Sequence, residues 1–267
     1  MVKQFIFNQA SFVSLIKNEN KMMKALITGA NKGIGFETAR LLLQNGFHVY
    51  IGSRNIQNGL NAVDKLKAEG LTNAEMIQLD VTDDASVLKA REEIGKKTDV
   101  LDVLINNAGI NGGSNPYTAL EAKPEEFQAA FDTNVIGTAR VTKVFIDLLR
   151  NSNTPRIVNL STSVGSLTLQ SDLNWPAYNY AKYAVYAASK AALNMYTIHL
   201  AYELRDTSFK VNAVCPGLTS TDFTFGNGGD VETAAKRVIK YAMIGQDGPT
   251  GKFFSEETNP ETGEIPW

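Results

Sequence analysis

Tyr186 and Lys190 stand four positions apart in Tyr186-Ala-Ala-Ser-Lys190-Ala-Ala-Leu-Asn-Met, a run that reads as helix, so both side chains share a face. An ammonium beside a phenol lowers the phenol pKa from about 10, which lets it exchange a proton near neutrality. Such a pair is common on ordinary helices, and a second one, Tyr178/Lys182, lies just upstream. Small residues flank Lys190 and leave room for a ligand against the helix, whereas Tyr183 crowds Lys182. The downstream pair gains weight from another stretch, Lys24-Ala-Leu-Ile-Thr-Gly-Ala-Asn-Lys-Gly-Ile-Gly35. An apolar run breaks there into glycines at 29, 33 and 35 and continues as a helix through Phe36 to Leu43. Strand, glycine turn and helix N-terminus together suit a dinucleotide pyrophosphate. Glycines let backbone approach the ligand, and unpaired N–H groups of the first helical turn face the anion.

The end of the next strand, Phe47 to Arg54, is where such a fold places the adenosine ribose. A carboxylate there accepts hydrogen bonds from the 2′-hydroxyl and favours NAD. Here Ser53-Arg54 occupies the place, and Lys32 lies in the glycine loop. Two cations and no carboxylate suit a 2′-phosphate, so NADP(H) is the expected cofactor; each alone reads equally well as a solvated surface charge. Thr28-Gly-x-x-x-Gly33-x-Gly35 and Asn106-Asn-Ala-Gly109, in order with Tyr186/Lys190, resemble the short-chain dehydrogenase/reductase superfamily over roughly residues 23 to 254. Asn31 to Gly35, the ending Asp247 to Phe253 and Trp267 look most like its carbonyl reductases.

That resemblance implies NADPH-dependent reduction of a ketone or aldehyde, with Tyr186 giving a proton to the oxygen and Lys190 holding the nicotinamide ribose. It also implies that Asn134 holds a water of a proton relay. Alcohol oxidation is the alternative direction. Cofactor contacts carry over to Gly29, Asn31, Lys32, Gly33, Ile34, Gly35, Arg54, Asp80, Val81, Asn107, Ala108, Gly109, Pro216, Gly217, Thr219 and Thr221, beside Tyr186 and Lys190. Asp80 reads alternatively as a turn residue. The family's catalytic serine falls on Thr162, which keeps the hydroxyl but has a restricted χ1. Ser161 or Ser163 could supply the group instead. From Thr162 to Tyr186 is longer than in simpler members, consistent with an insertion at Leu167 to Tyr180 that carries Trp175.

The elements that must position these groups alternate along the chain as strand and helix, which indicates an α/β fold with one doubly wound parallel sheet of Rossmann type. Expected strands follow at Met76 to Asp83, where the strand runs into a helix cap, then at Val100 to Ile105, Arg156 to Leu160, from Lys210, and near Lys252 to Phe254. Pro124 to Arg150 reads as one long helix with the stripe Phe127, Phe131, Val135, Thr138, Val141, Phe145 and Leu148. Asn134 beside that stripe and Gly137 after it are poor helix formers. Thr224 to Asp230 reads as a mobile lid. Asn111 to Tyr117, Gly165 to Trp175 and Thr221 to Gly229 are the expected pocket loops.

With 267 residues, 43% hydrophobic and 20% charged, the chain fits one catalytic domain, residues 23–267. Residues 1–22 read as an extension outside the core, or as a docked helix through Phe12, Leu15 and Ile16. A net charge of −2 gives no basic field for nucleic acid or anionic lipid. No apolar run is long enough to span a bilayer, and the two histidines suggest no zinc cluster. Cys215 reads as a small packed residue. The expectation is a cytoplasmic enzyme, a monomer or small homo-oligomer, acting on a small-molecule carbonyl compound. A non-catalytic NADPH-binding sensor on the same fold is the alternative.

Overall fold

The computed structural model describes residues 22–113 and 118–267. The readings made for residues 1–21, and for 114–117 of the first pocket loop, lie outside the described residues. Strand β1 (Lys24–Ile27) and strand β4 (Val103–Asn106) are apolar runs buried on both faces, as parallel strands between helical layers must be. With β2 (His48–Ser53), β3 (Ala74–Gln78), β5 (Arg156–Leu160), β6 (Lys210–Val214) and β7 (Lys252–Phe254) they form one all-parallel sheet in the order β3-β2-β1-β4-β5-β6-β7.

Alternation along each strand divides the core in two. Ala25 and Ile27 face one layer with Leu42 of α1 (Gly33–Gln44), Leu66 of α2 (Ile56–Ala68) and Val238 of α8 (Val231–Ala242). Leu26 faces the other, with Val87 of α3 (Asp84–Gly95), Phe145 of α5 (Thr138–Arg150) and Ala201 of α7 (Ala184–Glu203). From β1 the chain runs outward through β2 and β3, then returns to β4 on β1's other side. The crevice beyond the carboxyl ends of β1 and β4 is the switch point where such folds take a ligand.

Three expectations need correction. The third strand is Ala74–Gln78, starting two residues earlier than expected, and Asp83 supplies the expected helix cap of α3 by accepting from Ala85 N. The fourth begins at Val103. The long helix is not uniform: α4 (Pro124–Phe131) passes into a π-helical turn, Asp132–Gly137, before α5. A Cβ on Gly137 would lie 2.9 Å from Val81 Cγ2, so the helix runs hard against the chain after β3. The wide turn shifts the buried face. Ala130 and Asn134 are buried upstream while Phe127, Phe131 and Val135 are half-buried; from Thr138 onward the stripe holds. Tyr178 sits in turns, whereas Tyr186 lies in the first turn of α7.

Candidate active site

At the switch point β4 exits into Asn106 to Gly109, and the asparagines bind neighbouring strand ends. Asn106 Nδ2 donates to Asn159 Oδ1 on β5 (2.8 Å), and Asn107 Nδ2 donates to the carbonyls of Thr28 (2.8 Å) and Gly29 (3.1 Å). Thr28 Oγ1 accepts from the N–H groups of Asn107 and Ala108, both at 3.0 Å. Gly29 has φ +63°, and a Cβ on it would lie 3.1 Å from Ala108 Cα. Helix α1 then starts without a side-chain cap and without an acidic residue in its first turn. Its N-terminal N–H groups face the crevice, and among the described residues no carboxylate caps them. Asn31, Gly33 and Ile34 border this bare backbone, half-buried. The cradle fits a dinucleotide pyrophosphate.

Three elements converge beside it. A Cβ on Gly109 would lie 3.1 Å from Asn134 Oδ1 and 3.7 Å from Lys190 Nζ. Asn134, fully buried in the π-helical turn, accepts from Ile110 N (2.9 Å) and donates to Ile110 O (2.8 Å) and Ser189 Oγ (2.9 Å). Ser189 Oγ in turn donates to Tyr186 O at 2.8 Å. Lys190 is buried, donates to Leu160 O (2.7 Å), and stands 5.7 Å from the centroid of the Tyr186 ring. Burial lowers its ammonium to about 8 and pushes the Tyr186 phenol up, with Cys215 nearby acting in the upward direction on both.

Of the three hydroxyls after β5, Ser161 is buried and donates to Asn194 Oδ1 at 2.6 Å, so it turns away from the crevice. Thr162 and Ser163 are half-buried; Thr162 Oγ1 accepts from Val164 N (3.3 Å), and Ser163 Oγ lies 3.9 Å from Cys215 Sγ. The upstream pair is engaged elsewhere: Lys182 Nζ lies 3.8 Å from the centroid of its own Tyr178 ring and donates to Gln170 O and Oε1, both at 2.9 Å.

The stretch after β6 folds back over the crevice. Gly217 has φ +88°, Arg237 Nη1 donates to Pro216 O (2.7 Å), and buried Thr219 donates its hydroxyl to Gly217 O (3.0 Å). Thr221 Cγ2 would touch a Cβ on Gly33 at 3.4 Å. Next to it Lys32 Nζ pairs with Asp222 Oδ2 at 2.7 Å, and Phe223 lies against the Tyr186 ring, centroids 5.4 Å apart. Arg54 is exposed at the end of β2, with no hydrogen bond or ion pair among the described residues. Asp80 Oδ1 accepts from the N–H and hydroxyl of Thr82, as a turn residue does, and Val81 is packed in the core.

A profile of the short chain dehydrogenases matches residues 23–228. The chain belongs to that family. Salutaridine reductase of Papaver bracteatum is 32% identical, the match covering 88% of this chain and 94% of the relative. (−)-Isopiperitenone reductase of Mentha piperita is 36% identical, over 87% and 96%. The structure of an NADPH-bound carbonyl reductase from chicken fatty liver superposes with a TM-score of 0.78 at 27% identity, covering 92% of this chain and 100% of that one. The short chain dehydrogenase before us is thus an oxidoreductase by family. Among the described residues, no helix is long and apolar enough to cross a membrane.

Four residues of this family member escaped the sequence reading. Ser189 sits inside the tyrosine–lysine motif, yet nothing in its type marks it as the partner of Asn134. Ile110 acts through its backbone, which no side chain announces. Asp222 and Phe223 lie in the expected pocket loop Thr221 to Gly229, but their partners Lys32 and Tyr186 are distant in sequence.

Proposed function

We propose that this short chain dehydrogenase reduces a ketone or aldehyde to the alcohol with NADPH, Tyr186 delivering the proton. The observation carrying this reading is the meeting of Gly109, Asn134 and Lys190 beside the Tyr186 ring, next to an uncapped helix N-terminus. When bound, NADPH supplies a hydride to the carbonyl carbon. The residues that would hold it are the Gly29 to Gly35 loop at the pyrophosphate, and Lys32 with Arg54 at the 2′-phosphate. Asp80 and Val81 would border the adenine, the backbone of Asn107 to Gly109 the ring face, and Pro216, Gly217, Thr219 and Thr221 the carboxamide side.

Tyr186 then protonates the carbonyl oxygen, and Thr162 steadies the same oxygen with a hydroxyl hydrogen bond. Lys190 holds the ribose, and its ammonium, while charged, works against the burial that pushes the phenol up. Asn134 has its amide hydrogens committed to Ile110 and Ser189, so the relay water it serves rests on one of its oxygens. Residues 23–267 act as one catalytic domain.

The test is a panel of activated ketones and aldehydes assayed with NADPH and NADH side by side. It includes Tyr186→Phe and Tyr178→Phe. Tyr186→Phe is expected to lower kcat by about 10²–10⁴-fold with NADPH binding retained, the usual contribution of a positioned acid. Tyr178→Phe at most shifts substrate preference. Tight NADPH binding with no turnover by the unmodified protein would favour a sensor instead.

A further inference from the structure

Helix α6 (Leu167–Ser171) lies in the insertion between Thr162 and Tyr186, and none of its five residues is buried. A helix of that length has neither the hydrogen bonds nor the packing to hold itself. It is held from outside by Ile265 to Trp267. Ser166 Oγ, on a residue with no exposed surface, donates to Pro266 O at 2.7 Å. Thr168 donates to Trp267 O through both its N–H (3.1 Å) and its hydroxyl (2.8 Å). The Trp267 ring stacks on Phe253 of β7, centroids 5.4 Å apart and planes at 18°. Ile265 N donates to Phe253 O at 2.9 Å. Leu169 packs on the same cluster, Ala213, Cys215, Phe253 and Ile265.

The far side of α6 reaches the chemistry. Gln170 Nε2 donates to Val164 O (3.1 Å) and Ala181 O (2.7 Å), the first two positions after Thr162 and the second just ahead of α7. A continuous chain of contacts therefore runs from β7 through Trp267 and α6 to the segments that carry both hydroxyls. We infer that Ile265 to Trp267 is a positioning strap for the carbonyl substrate: it fixes the α6 wall and, through Gln170, the approach of Thr162 to Tyr186. The cofactor cradle, built on β1, α1 and β4, makes none of these contacts. This rests on the carbonyl-reductase reading, and it separates substrate effects from cofactor effects.

The experiment compares the unmodified protein with Trp267→Ala and Trp267→Phe. Measured are carbonyl KM and kcat at saturating NADPH, NADPH Kd by fluorescence, and backbone hydrogen exchange. Trp267→Ala is expected to raise carbonyl KM about fivefold or more, with NADPH Kd unchanged within about twofold. Exchange at residues 167–171 should quicken by about tenfold while the strands stay protected. Trp267→Phe keeps a ring on Phe253 and should restore both. Thr168→Val, which removes one hydroxyl, should move both readouts the same way by less, and serves if Trp267→Ala does not fold. Unchanged KM and exchange would overturn the strap, as would a uniform loss of protection accompanied by weaker NADPH binding. If the unmodified protein turns over no carbonyl compound, the functional reading fails, and the exchange pattern still decides whether the strap holds α6.

Discussion

Lys190 is a buried ammonium whose proton is held less tightly in the folded protein, about 8, than in the unfolded chain, near 10.4. Between those two pH values the unfolded chain binds more protons, so stability rises with pH across that window. Below about 8 the penalty for the buried charge is present in full. Lys190→Met removes the titration, so the unmodified protein should gain stability relative to it between pH 7 and pH 10, read by urea unfolding. Parallel curves would remove burial as the cause. The same group predicts that reduction slows as pH rises through about 8, since a neutral lysine no longer favours proton exchange by the phenol. The hydroxyl is decided nearby. With Ser161 committed to Asn194, Thr162 and Ser163 remain. Thr162→Val keeps the shape and removes the donor, so kcat should fall by about 10²–10³-fold, the loss typical of one oxyanion donor, with NADPH affinity nearly unchanged. A larger loss in Ser163→Ala would shift the family register by one residue.

At the level of elements, the loop from Thr221 to Gly229 is the segment whose contacts compete with ligand. Lys32, proposed for the 2′-phosphate, is paired with Asp222, and both are exposed. The adjacent Phe223 covers Tyr186. A phosphate taking Lys32 must displace Asp222, so Asp222→Asn should tighten NADPH binding by about two- to fivefold, the range open to an exposed ion pair, and leave NADH binding alone. Tryptophan-fluorescence or calorimetric titrations with both cofactors check this; equal gains for the two would point to loop mobility rather than competition. That pairing was not legible in the sequence, because Lys32 and Asp222 are 190 positions apart and nothing local selects one partner over another. The π-helical turn was half legible. Asn134 and Gly137 showed that a plain helix was unfavourable there, but only the clash a Cβ on Gly137 would make with Val81 says why the turn widens. Strands β5 and β7 were legible to the residue, since short apolar runs between turn signals leave little freedom in register.

Across the whole molecule, the doubly wound sheet brings Gly29, Gly109, Thr162, Lys190 and Thr221 to one edge although they span most of the chain. The order of motifs made that edge legible, because each βα unit returns its carboxyl end to the same side. Cofactor choice is read at this scale, through ligand-linked stability of the entire fold. NADPH at a hundred times its Kd stabilises the protein by about 2.7 kcal/mol. For a domain of this size that is a rise in Tm of about 5–10 °C. NADH at the same concentration should give a clearly smaller rise, because Ser53-Arg54 offers its 2′-hydroxyl no carboxylate. Arg54 is exposed and makes no hydrogen bond or ion pair among the described residues, so Arg54→Asp should leave the ligand-free Tm where it is. It should shrink the NADPH shift and enlarge the NADH shift, since the new carboxylate repels a phosphate and accepts from a hydroxyl. Thermal unfolding of both proteins with each cofactor measures all of these at once. Equal shifts by NADPH and NADH in the unmodified protein would remove Lys32 and Arg54 as the source of any preference.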